Sequence, residues 1–149
     1  MDSSHLIDIM KEDNYPGDEV FDQIEALCDK GEEDLERGKP RAALKRFWKA
    51  FELLPEPKNQ YPAGTWLLLN IGDIYFEAAL YDKAVEQLTK ALEGFEGREN
   101  PFIHLRLGQA HYELENWDLA RPALQQAWDL DGAAIYEGED PKYLQFLKA

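Results

Sequence analysis

His104 and His111 are seven residues apart, two turns of a helix, and Glu115 follows one turn later. On one helical face such a trio is close to a zinc or iron ligand set, whose chemistry would be water activation in a metal-dependent enzyme. The competing reading makes both histidines partly buried structural residues, and no metal ligand is assigned. Cys28 is the only cysteine, so an intrachain disulfide, a cysteine zinc site and a CxxC redox pair are all impossible. Nucleophilic catalysis would need Cys28 or a serine beside a base, and Ser3 and Ser4 sit with His5 in an N-terminal tail. The carboxylates of Glu32-Glu33-Asp34 and Glu36 read as a solvated helix face rather than an acid and base pair. In Asp129-Leu130-Asp131-Gly132 the glycine comes too early for a calcium loop and two ligands are missing, so this is a helix stop. Neither GxGxxG nor GxxxxGK[ST] occurs, and no catalytic residue and no cofactor are expected.

What positions the remaining side chains is an internal repeat. Gly31, Gly72 and Gly108 are each followed twelve residues later by Ala43, Ala84 and Ala120, and seven further on by Ala50, Ala91 and Ala127. Four residues after the first alanine stand Phe47, Leu88 and Leu124, so each unit ends in small and large apolar residues at helical spacing. Pro55 closes the first unit, and Ile71 with Tyr75 and Leu107 complete the second and third.

This pattern resembles the tetratricopeptide repeat, about 34 residues folded as helix, turn, helix. Departures are visible: Leu27, Leu68 and His104 stand at the motif tryptophan, and Asp34 and His111 at the motif tyrosine of the outer units. The resemblance implies an all-α fold, three tandem units about 24–57, 65–98 and 101–134 in a short right-handed solenoid. Residues 18–131 form the repeat domain, 1–17 an N-terminal extension, and 135–149 a C-terminal capping helix, in which a loop after Gly132 leads to a short amphipathic helix over Pro141–Leu147 that would cover the last repeat. Helix pairs are expected over 18–37 with 40–54, 63–79 with 82–95, and 101–114 with 117–130. Pro40 and Pro101 suit helix starts, whereas Pro122 falls inside a helix and predicts a lost hydrogen bond or kink.

In this family the first helix of each pair lines a concave groove. Counting from each glycine places Glu32, Asp73 and Gln109 together, then Leu35, Phe76 and Tyr112, then Glu36, Glu77 and Glu113. Nearer the helix starts come Trp66 with Phe102, Leu69 with Leu105, and Asn70 with Arg106. Half of the aromatics are expected to pack between repeats. The rest would anchor a segment carrying lysine or arginine, with the carboxylates steering its approach. Some family members hold a chaperone's C-terminal carboxylates with lysines, asparagines and an arginine. Here only Asn70 and Arg106 match, while Cys28, Glu32 and Phe102 replace the others. Glu32 and Asp73 would repel a ligand carboxylate, so a heat-shock co-factor is not expected.

At 149 residues the chain has the length of one domain, and 44% hydrophobic with 31% charged residues is a globular balance. Thirty acidic against sixteen basic residues give a net charge of -14, which argues against nucleic acid and membrane surfaces as partners. The first 40 residues hold 13 acidic and 4 basic residues, so the charge leans toward the N-terminus. The start has no basic, apolar signal segment, and a cytoplasmic location is expected. The leading expectation is a small, stand-alone, non-enzymatic protein, bacterial in type, that sequesters a basic or amphipathic protein partner, as an immunity-type inhibitor covers a toxin. A class II-type secretion chaperone holding an extended export substrate is the alternative. Monomer and homodimer both stay open.

Overall fold

The computed structural model describes residues 17–149; the expected extension over 1–17, with Ser3, Ser4 and His5, lies outside the described residues apart from Gly17. Seven α-helices make up the described chain, with no strand among the described residues: α1 (Asp18–Glu36), α2 (Pro40–Glu52), α3 (Pro62–Glu77), α4 (Tyr81–Leu92), α5 (Pro101–Glu113), α6 (Trp117–Asp131) and α7 (Pro141–Lys148). Each expected pair is present, α1 on α2, α3 on α4 and α5 on α6, and the pairs stack through α2 on α3 and α4 on α5.

Local chemistry sets the boundaries. Proline occupies the first turn of α2, α3, α5 and α7, where a missing N–H costs nothing. The side chains of Asn100 and Asp140 accept hydrogen bonds from the backbone N–H groups of Phe102 and Lys142 and so cap α5 and α7. The turn inside each pair is the same three times. The N–H groups of Lys39, Leu80 and Asn116 donate to the carbonyls of Asp34, Tyr75 and His111, five residues back. This geometry needs a left-handed residue, which is Gly38 in the first turn but Ala79 and Glu115, at φ 61°, in the others. Helix α6 continues through Pro122, which is exposed there, and stops at Gly132, where φ is 65°.

The repeated glycines mark where two helices touch. A Cβ on Gly72 would lie 2.7 Å from Leu88 Cγ, and one on Gly108 2.8 Å from Leu124 Cγ; at Gly31 it would strike the Phe47 ring. Ala43, Ala84, Ala120, Ala50, Ala91 and Ala127 are all fully buried beside them. Helix α3, packed by repeats on both sides, buries eleven of its sixteen residues and keeps its charged side chains, Asp73 and Glu77, to one face.

In the C-terminal segment residues 132–136 make a 3-10 turn, Gly138 adopts φ 79°, and the short helix expected over Pro141–Leu147 within 135–149 runs from Pro141 to Lys148. A left-handed glycine and a proline three residues apart keep it from starting earlier. The short α7 still covers the last repeat, packing Tyr143 and partly buried Phe146 and Leu147 with Leu105, Tyr112 and Trp128.

Candidate functional site

The groove candidates divide into two groups. Trp66, Leu69, Leu105 and Gln109 are buried, the last two completely. They face the neighbouring repeat or the cap, because the first helix of each pair must pack the unit stacked beyond it. Trp66 meets Phe47 edge to face at 5.6 Å, and with Leu69 it borders a cleft beside Phe95 and Glu96. Glu36 and Glu77 are exposed, Leu35 is 38% exposed, and Glu32, Asn70, Asp73, Phe76, Phe102, Tyr112 and Glu113 are half-buried. Asn70 donates its side-chain amide to the Trp66 carbonyl of its own helix.

Arg106 organises the junction of the second and third repeats. Its guanidinium lies between the rings of Phe76 and Phe102, 4.7 and 4.9 Å from their centroids. Nε donates to Asp73 at 2.5 Å, Nη1 to Glu139 at 2.7 Å and Gln109 at 2.6 Å, and Nη2 to Glu77 at 3.2 Å. Gln109 also donates to the Glu139 carboxylate at 2.8 Å. Desolvation pulls the Arg106 pKa down, and the charge and hydrogen bonds of Asp73, then of Glu139, outweigh it and raise it. Three carboxylates around one cation leave this place net negative.

Glu113 and Tyr112 meet the chain's own C-terminal helix. Glu113 accepts from Lys142 Nζ and Tyr143 Oη, both at 2.9 Å. Tyr112 packs edge to face on Trp117, Tyr143 and Phe146 at 5.1 to 5.3 Å. The third repeat's positions expected to receive a partner, Leu105, Arg106, Gln109, Tyr112 and Glu113, are therefore occupied by residues 139–146 of the same chain. Lys142 and Tyr143 belong to the expected capping helix, but Glu139 had no sequence signal: it belongs to no repeat and lies about thirty residues from the Arg106 side chain it meets. The open part of the groove runs over repeats one and two, through Leu35, Glu36, Asp73, Phe76 and Glu77.

The other chemistry-bearing side chains are structural. His104 is buried with Nε2 2.8 Å from the Arg98 carbonyl, and His111 Nδ1 has no hydrogen-bond partner among the described residues. Burial lowers the His111 pKa and keeps the ring neutral. Neither histidine joins Glu115 in a cluster; no group of three potential metal ligands occurs among the described residues. Burial raises the Cys28 thiol pKa, with Glu32 adding to the shift, so it is not a nucleophile at neutral pH. No helix among the described residues is long and apolar enough to cross a membrane.

No family model matches the chain, and no curated protein matches it in sequence. Solved structures do match. The first TPR domain of human RPAP3 is 20% identical, over 85% of this chain and 93% of that one, at a TM-score of 0.66. The first TPR of Spaghetti (RPAP3), bound to the HSP90 peptide SRMEEVD, is 18% identical over 85% and 89%, also at 0.66. The Sgt2 TPR domain from Aspergillus fumigatus is 19% identical over 89% and 77%, at 0.64. At these identities the likeness establishes the fold, a tetratricopeptide-repeat solenoid.

Proposed function

We propose, from the premise of a tetratricopeptide fold, that this protein is a non-enzymatic interaction module whose groove over repeats one and two binds a basic or amphipathic segment of a protein partner. The observation that carries the reading is the surplus of carboxylates at Arg106. Asp73, Glu77 and Glu139 surround one cation beside half-buried Phe76, so a lysine or arginine of a partner is attracted and an apolar anchor has a ring to meet. Glu36 and Leu35 extend the same chemistry into the first repeat.

The peptide bound by the Spaghetti domain ends in acidic residues. In this chain Arg106, one of two positions matching the family's carboxylate clamp, already holds its own carboxylates, and a second acidic ligand would meet repulsion. Closure of the groove at repeat three also shortens the track available to an extended export substrate. It supports an inhibitor that covers a basic projection of a folded protein, such as a toxin, over a class II-type secretion chaperone.

Calorimetry with two peptides tests the reading. A helical peptide with leucine and lysine on opposite faces is expected to bind, and Glu36→Lys with Glu77→Lys to weaken it about tenfold, as two rim charges would. SRMEEVD is expected not to compete with the basic peptide for the groove; if it displaces that peptide, the proposal is wrong. Partners captured from native lysate and identified by mass spectrometry then separate a folded basic protein from an export substrate.

A further inference from the structure

Residues 37–50 hold six of the sixteen basic residues and none of the thirty acidic ones, in a chain of net charge -14. Arg37 and Arg46 are engaged, with Glu33 at 2.6 Å and Asp34 at 2.7 Å. Arg41, Lys45 and Lys49 are exposed and make no ion pair among the described residues. They are spaced by four on α2, so they form a ladder about 12 Å long on the side opposite Ala43, Phe47 and Ala50, which face the core. Trp48 lies three residues after Lys45 and seven after Arg41, on the edge of the same face. It is half-buried, and its indole N–H donates to Tyr75 Oη at 3.3 Å. Lys83 of α4, exposed, holds its ammonium 5.7 Å from the centroid of the Tyr75 ring. The outer surface between α2 and α4 is thus a pair of aromatic rings between basic side chains, Trp48 on α2 and Tyr75 on the neighbouring α3.

We infer that this outer face of α2 is a second docking surface, and that its occupant is a short acidic segment of a protein partner with an aromatic or aliphatic residue beside its carboxylates. Charge complementarity selects the sign, and the length of the ladder selects the class. Duplex nucleic acid carries a charge every ~1.7 Å and continues past both ends. Here the ladder stops at Glu52, one turn beyond Lys49. A polyanion that runs on past Lys49 meets repulsion there, whereas a segment with three or four carboxylates fits along the ladder. Trp48 and Tyr75 offer contact to a side chain, which a flat lipid surface does not supply.

The probe is a fluorescein-labelled peptide of four consecutive glutamates flanked by phenylalanines, followed by fluorescence anisotropy at low salt. The whole protein would repel this peptide if only net charge acted, so saturable binding is the expected and discriminating result. Lys45→Glu with Lys49→Glu is expected to weaken it at least about tenfold. Lys30→Glu with Lys148→Glu, which changes the net charge equally at exposed positions elsewhere, is expected to leave it nearly intact. Glu36→Lys with Glu77→Lys, which disables the groove, is not expected to weaken it, so the two surfaces fail separately. Circular dichroism verifies that each variant folds. The inference is overturned if wild type binds no better than the Lys45, Lys49 variant, if the two charge-matched variants weaken binding alike, or if an oligonucleotide or an anionic phosphatidylserine vesicle binds more tightly.

Discussion

The second and third repeats carry comparable side chains at comparable positions and put them to opposite uses. In the second, Phe76 and Glu77 border an open groove, and Glu77 is 65% exposed. In the third, Tyr112 and Glu113 meet Tyr143, Phe146 and Lys142, and Glu113 falls to 18% exposure. Residue type is not what differs; what stacks beyond is. The second repeat is followed by a helix pair whose own first helix continues the groove, whereas the third is followed by a short helix that ends it.

Removing the guanidinium at that boundary is the severest way to break the contrast. Arg106→Met leaves Asp73, Glu139 and buried Gln109 without their cation and is expected to cost about 3–5 kcal/mol in urea unfolding. Glu36→Gln, at the open end, is expected to stay within about 0.5 kcal/mol. Similar small values for both would show that the Arg106 cluster does not hold the cap in place.

Acid should find the third repeat first. Folding depresses the His111 pKa through burial, so its contribution is complete above the unfolded value of about 6.5 and is lost as pH falls below it. The equivalent position of the middle repeat carries no imidazole but Tyr75. Thermal melts should show His111→Tyr losing less stability than wild type between neutral pH and about pH 5; parallel curves would refute the assignment.

The smallest expected change sharpens the comparison at the turns. Ala79 and Glu115 hold the left-handed conformation that Gly38 holds without strain. Ala79→Gly is expected to gain about 0.5 kcal/mol and Gly38→Ala to lose about 1 kcal/mol, by differential scanning calorimetry. Opposite signs at the two positions are the point of the measurement.

Much of the fold was legible because the repeat is written in contacts. Gly31, Gly72 and Gly108 exist where Phe47, Leu88 and Leu124 press against a helix backbone, so their spacing, with the family resemblance it carries, located all three pairs. The candidate site was legible only in part. Counting from the glycines places a residue on a helix face but does not say what folds back over it, so Arg106 and Gln109 could be ranked as groove residues while Glu139 went unseen. The basic run over 37–50 is plain in the sequence, yet a charge sum divided at residue 40 cuts through it and averages it away.

The sealed end closes the array on its C-terminal side. Tandem repeats commonly lengthen by duplication, each new unit docking on the exposed side of the last. Here that side is already satisfied by α7, with Tyr143 on Glu113 and Glu139 on Arg106. A fourth unit spliced in after Asp131 would inherit neither contact unless it supplied its own carboxylate to Arg106. The same holds for any fusion partner grafted there, whereas one joined beyond Ala149 leaves the closure untouched.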